Sequence, residues 1–110
     1  MSTLESIREK TSIKAQVIDV LRMVIDPELG INIVDMGLLY LAEADEVRMK
    51  IRIEMTLSSR GCPMGAAIVG GAENTLTSHF PGYSIAIDLV WEPGWSNEFI
   101  SAQGRQQLEL

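Results

Sequence analysis

From Val47 to Met55 apolar and polar residues alternate without a break: Val47, Met49, Ile51, Ile53 and Met55 occupy every second position, with Arg48, Lys50, Arg52 and Glu54 between them. Side chains of a strand point to opposite faces in turn, so this segment reads as a half-buried strand, expected over 47–56. A sheet with one apolar face must be covered, and helices elsewhere in the chain are the natural cover.

The remaining elements follow from periodicity and punctuation. Ile13, Val17, Val20, Leu21 and Val24 fall at helical spacing behind Ser12, a good N-cap residue, which predicts a helix over 13–25 that stops at Asp26-Pro27. Leu4 and Ile7 leave open whether that helix begins earlier. The apolar run 36–43 reads as a strand buried on both faces, joined to the alternating strand through a turn at Ala44-Asp45-Glu46 in an antiparallel hairpin. Ile68, Ala72, Leu76 and Phe80 lie four apart, and Pro81-Gly82 ends the run, giving a second helix over 64–80. Gly65, Gly70 and Gly71 weaken that helix and permit close packing against the sheet or another chain. Residues 83–91 form a third strand, with Tyr83, Ile85, Ile87, Leu89 and Trp91 on one face. Ser96 is placed to cap a short helix near 97–102. The expectation is an α+β fold: a small two-layer α-β-β-α-β-α domain whose three-stranded mixed sheet carries its helices on one face. The helical crossover makes the third strand parallel to the second. No repeat or linker-like stretch divides residues 1–110, so one domain is expected.

Composition narrows the function classes. Fifteen acidic residues against nine basic ones give a net charge of −6, which disfavours nucleic acid or an anionic membrane as a partner. No run approaches the roughly 18 apolar residues of a membrane span, and the start shows no secretory signal. The single cysteine, Cys62, fits a reducing, cytoplasmic compartment and supplies too few thiolates for a structural zinc site.

Cys62 is nevertheless the residue with most chemistry. With Pro63 at the first helical position it becomes the N-cap, where free N–H groups and the helix dipole lower a thiol pKa. The competing reading is a small buried hydrophobe. Asp26 and Glu28 flank Pro27, and Asp35 follows; such carboxylates take protons, bind metals, or hold turns through backbone hydrogen bonds. Ser58 and Ser59 precede the cysteine turn as candidate donors to a thiolate or a cluster sulfide. His79 reads as a helix-end residue more readily than as a ligand. Trp91 and Trp95 read as core-edge packing or as a docking edge, and Arg48, Lys50 and Arg52 as a solvated strand face or a docking stripe.

Taken together, these segments resemble the SufT-like and PaaD-like iron–sulfur cluster assembly domain family. The resemblance rests on Asp26-Pro27-Glu28-Leu29, on Asn32 to Tyr40, on Met55 to Met64 with Cys62 inside it, and on Trp91-Glu92-Pro93-Gly94-Trp95; Ile100-Ser101 and Gly104-Arg105 trail behind. In order, it covers residues from about 13 to 108. It implies a factor that helps mature or deliver iron–sulfur clusters to client apoproteins, alongside other assembly proteins. Cys62 then corresponds to the family's functional cysteine, a transient ligand of iron or of a cluster, with Asp26, Glu28, Ser58 and Ser59 in support. The family often carries threonine where Ser58 and Ser59 stand. Phenylacetate-pathway members add a cysteine-rich C-terminal segment that is not found here, so the resemblance implies a general assembly factor. A thiol enzyme using Cys62 as nucleophile, and a non-catalytic adaptor, are the alternatives. One thiol per chain also raises a homodimer pairing two Cys62 residues, through the helix glycines or the open sheet face.

Overall fold

In a computed structural model, which describes residues 12–108, the chain forms a three-stranded sheet with helices against one face. Helix α1 (Ile13–Leu21) leads into a miniature hairpin, β1 (Ile25–Asp26) and β2 (Ile31–Asn32). Strands β3 (Leu39–Asp45) and β4 (Lys50–Met55), helix α2 (Gly65–His79) and strand β5 (Ser84–Leu89) follow. A 3-10 turn at Asn97–Phe99 and helix α3 (Ala102–Gln107) close the described chain. Strand order is β3-β4-β5, with β3–β4 antiparallel and β4–β5 parallel, so the sheet is mixed as expected.

The alternation in β4 divides the molecule. Ile51, Ile53 and Met55 are buried against Val17 and Leu21 of α1 and Ile68, Ala72 and Leu76 of α2. Lys50 and Arg52 face water, where Arg52 pairs with Glu54 at 3.1 Å and with Asp88 at 3.3 Å. These pairs occupy Arg52 on the sheet's solvated face. Ser12 caps α1 by accepting the Ala15 N–H at 3.1 Å.

Four expectations need correction. The alternating pattern overruns its strand: Val47 is 94% exposed and Met49 adopts φ +56°, because Asp45 accepts the Val47 and Arg48 N–H groups and shapes the turn there. Residues 36–38 are not strand, and β3 is an edge strand whose Glu43 and Asp45 are exposed, so it is not buried on both faces. Helix α1 ends at Leu21 and not at 25, because Ile25–Asp26 pairs with Ile31–Asn32 and requires extended backbone. After Ser96, which makes no side-chain cap, the helix lies at Ala102–Gln107 and is capped by Ser101. Leu4 and Ile7 lie outside the described residues.

Asp35 fastens the two ends of the fold together. Its buried carboxylate accepts from Arg22 Nη1 (3.1 Å), Asn32 Nδ2 (2.7 Å) and Ser101 Oγ (3.0 Å), and its carbonyl accepts the Ser101 N–H. Nearby, Trp95 Nε1 donates to the Met36 carbonyl at 2.7 Å, and the Tyr40 hydroxyl to the Pro93 carbonyl at 2.6 Å. Gly37 permits this closure: its φ is +78°, and a Cβ there would run into the backbone of Phe99.

Burial pushes the Asp35 carboxyl up, but hydrogen bonds from Asn32 and Ser101 and the Arg22 charge outweigh it and leave its pKa below the ordinary value. A carboxylate with a depressed folded-state pKa stabilises the fold fully above the unfolded-state pKa, and that contribution is lost as pH falls through the folded value. Asp35→Ala should therefore cost about 2–4 kcal/mol in urea unfolding at pH 7, the range for breaking a buried, charge-assisted network. Its deficit relative to wild type should shrink when unfolding is repeated well below pH 4.

Candidate functional site

The loop between β4 and α2 carries Cys62, and the β1–β2 hairpin brings acidic residues to meet it. Asp26 is buried, and its Oδ1 accepts the Glu28 N–H at 2.8 Å while its carbonyl accepts the Gly30 N–H at 2.8 Å. Gly30, at φ +72°, completes this reversal. The carboxylate of Asp26 thus holds the turn, and the turn presents Glu28 outward. The half-buried Cys62 thiol donates to Glu28 Oε1 across 3.4 Å. Two residues 34 positions apart in sequence share one hydrogen bond.

Cys62 is not the N-cap of α2. Its N–H bonds to the Ser59 carbonyl at 3.3 Å, and its own carbonyl accepts the Gly65 N–H at 3.1 Å, so two consecutive turns run from Ser59 to Gly65 where a cap at Cys62 was expected. The helix starts at Gly65, where a Cβ would sit 2.7 Å from Leu57 Cδ1, and Met64 takes the cap position. The thiol consequently receives a single backbone N–H, from Met64, and not the full end of a helix. Burial pushes its pKa above the ordinary value, the Met64 N–H opposes this, and the hydrogen bond and negative charge of Glu28, with the charge of Asp26 behind it, push it further up. The expected lowering is reversed. The proton is held on the Cys62 sulfur, which donates it toward Glu28 Oε1.

Ser58 is half-buried and Ser59 exposed in the same loop, and Ser59 serves through its carbonyl. Arg60 lies with its guanidinium carbon 4.7 Å from the centre of the Trp91 ring, which engages that cation in a cation–π contact. His79 bonds the Thr75 carbonyl through Nδ1 at 2.9 Å, the local helix-end role. The Met64 N–H was invisible in the sequence, since any residue there offers the same group. Among the described residues, no three His, Cys, Asp or Glu side chains gather closely enough to enclose a metal ion. No helix among them is long and apolar enough to cross a membrane.

Comparison with known proteins decides the family. Residues 14–87 match the iron–sulfur cluster assembly protein family. The chain belongs to that family. It is 39% identical over 86 residues to the Fe-S protein maturation auxiliary factor SufT of Staphylococcus aureus, covering 78% of this chain and 97% of that one. The auxiliary factor YitW of Bacillus subtilis is 34% identical over 99 residues, covering 90% of this chain and 96% of its own. Among solved structures, a domain of unknown function from Bacillus anthracis superposes with a TM-score of 0.82 at 38% identity, covering 88% of this chain and 92% of the other. A conserved hypothetical protein from Thermotoga maritima reaches 0.76 at 28% identity, covering 92% and 98%. The α+β fold with its mixed sheet is therefore the family's fold.

The Cys62–Glu28 hydrogen bond has a direct consequence in solution. Glu28→Gln removes the charge that disfavours thiolate, so Cys62 should react several-fold faster with iodoacetamide at pH 7 than in the wild type, since about one pKa unit changes the thiolate fraction roughly tenfold. The wild-type thiol should react more slowly than a free cysteine.

Proposed function

We propose that this protein is a non-enzymatic auxiliary factor of iron–sulfur protein maturation, acting in the cytoplasm, and that Cys62 is its transient ligand for iron or for a cluster in transit to client apoproteins. The observation that carries the reading is the pairing of the half-buried thiol with Glu28 at 3.4 Å on a rigid hairpin. Membership of the iron–sulfur cluster assembly family and likeness to proteins named as maturation auxiliary factors support it. An incoming metal ion displaces the Cys62 proton, which Glu28 is placed to accept, leaving a metal–thiolate bond and a neutral carboxylic acid that returns its proton to water. Asp26 keeps the hairpin in place for that exchange, and Ser59 anchors the loop.

Clusters are commonly held by four thiolates, and this chain supplies one. The remaining ligands come from outside: a client, another assembly protein or a second copy. Such a site holds its cargo loosely, which suits delivery. The thiol-enzyme alternative is weaker, because a pKa raised by burial and Glu28 removes the nucleophile, and His79 is engaged with Thr75. An adaptor docking through the tryptophans is weaker too, since Trp95 is fastened to Met36 and Trp91 is covered by Arg60.

Anaerobic incubation with iron and sulfide, followed by absorption spectroscopy and metal counting, tests the proposal. Wild type should retain less than about one cluster per chain, given one thiolate of the usual four, and Cys62→Ser essentially none. Full iron and sulfide content in Cys62→Ser would reject Cys62 as ligand.

A further inference from the structure

A cavity of about 660 Å³ opens where the ends of β4 and β5 meet the start of β3, and neither Cys62 nor Glu28 lines it. Its volume falls within the roughly 300–1,000 Å³ of sites that hold small ligands. Two aromatic rings line it: Tyr40 and the exposed Phe99 stand edge to face, with centroids 6.1 Å apart. Both are held in place. The Tyr40 hydroxyl donates to the Pro93 carbonyl at 2.6 Å, and Gly37, lacking a Cβ, lets the Phe99 backbone close against it. Leu39 and Val90 add apolar wall, and Glu54 and Glu92 are the charged residues of the lining. Charge here is out of balance. Arg52 alone answers both Glu54 and Asp88, at 3.1 and 3.3 Å, and Glu92 has no ion pair among the described residues. Three carboxylates against that one guanidinium leave two negative charges over. Arg60 rests on Trp91 and pairs with no carboxylate among the described residues, and no lysine or arginine lines the cavity. Burial raises the Tyr40 pKa and the charge of Glu92 raises it further, against a hydrogen bond with Thr56, so the Glu92 carboxylate acts directly on that ring's hydroxyl.

We propose that this cavity is the docking site for an arginine side chain presented by a short apolar segment of a partner protein, with the guanidinium against Tyr40 and Phe99 and its charge answered by Glu92 and Glu54. The uncompensated carboxylates call for a cation, and they exclude an anionic occupant. The aromatic pair then selects among cations. A planar, weakly hydrated guanidinium stacks on a ring and forks to a carboxylate, whereas an ammonium keeps its water and acts as a point charge. The cavity is also more than a charge well. Leu39, Val90 and Pro93 offer apolar wall that a free ion would leave wet, and the residues flanking an arginine in a peptide would cover it. A chain of net charge −6 draws a basic segment from a distance before any contact forms. The inference concerns a surface apart from the thiol and does not depend on the ligand role of Cys62.

Magnetic-resonance titration of the full, isotope-labelled chain tests this with the peptide acetyl-Gly-Leu-Arg-Leu-Gly-amide. The same peptide with citrulline or lysine in place of arginine, and acetyl-arginine amide alone, are titrated beside it. The arginine peptide should shift the resonances of Tyr40, Glu54, Val90 and Phe99 together. Citrulline keeps the shape and loses the charge, so it should bind about tenfold more weakly or worse. Lysine should bind about threefold more weakly, and acetyl-arginine amide several-fold more weakly because the apolar wall stays uncovered. Glu92→Gln and Phe99→Leu, both at exposed positions, should each weaken the arginine peptide about threefold, with circular dichroism melting to verify that the fold is intact. Absence of binding, shifts that avoid these residues, or two variants that bind like wild type each overturns the proposal. So does citrulline, lysine or acetyl-arginine amide binding as well as the arginine peptide. Iron retention in Cys62→Ser reads a different site, so either result can fail while the other stands.

Discussion

The parallel pairing of Lys50–Met55 with Ser84–Leu89 governs the rest of this molecule. Two parallel neighbours cannot be joined by a tight turn, so the chain must leave the end of β4, cross the sheet and return. Helix α2 is that crossing, and its apolar stripe of Ile68, Ala72, Leu76 and Phe80 buries the sheet's apolar face. The loop from Thr56 to Met64 is the unavoidable remainder, standing beyond the carboxyl end of β4, where open α/β sheets place their ligands. Cys62 is therefore carried by topology to a surface position that local sequence alone would not predict. Glu28 arrives from the other side, because α1 packs on the same sheet face and ends at the miniature hairpin.

Asp35 explains how so small a structure keeps those two approaches in register. It stands between the hairpin that presents Glu28 and the segment that closes the sheet end, bonded to Arg22, Asn32 and Ser101. A buried carboxylate without partners would be costly; with three donors it becomes a fixed point. Trp95 and Tyr40 add two fasteners to backbone carbonyls on the same side. The candidate site thus rests on a polar knot whose Arg22 and Asn32 flank the hairpin of Asp26 and Glu28 and whose Ser101 comes from the far end of the chain.

Much of this was legible in the residues, and the misreadings share a cause. The alternation of β4, the i, i+4 stripe of α2 and the Ser12 cap report local geometry directly, and the crossover rule converts them into a mixed sheet. Element ends were misplaced wherever a long-range or side-chain bond overrides periodicity. Val47 and Met49 continue the alternating pattern into a turn that Asp45 dictates, and Val24 continues a helical pattern past the end of α1 at Leu21, just ahead of β1. At the site, Asp26-Pro27-Glu28 announced a turn and Cys62 announced a thiol. What could not be read was that Gly65 starts the helix three residues after the cysteine, pinned against Leu57. That offset leaves the Met64 N–H as the opposition to burial and Glu28, which raise the thiol pKa.

The raised thiol pKa fits a carrier better than a catalyst. A nucleophile needs its thiolate formed before the substrate arrives, which a helix N-terminus or a neighbouring cation supplies. Here Arg60 is held on Trp91, Glu28 stands where a cation would help, and the proton stays on sulfur. The same carboxylate that disfavours a bare thiolate becomes favourable once a cation occupies the space between them, because the metal's positive charge reverses the local balance. Under the ligand role proposed for Cys62, the pair resists adventitious alkylation while empty and gains its thiolate by exchanging a proton for a metal. Proton release then opposes metal capture, so affinity is held below what a preformed thiolate would give, and a receiving protein with several thiolates can take the cargo away.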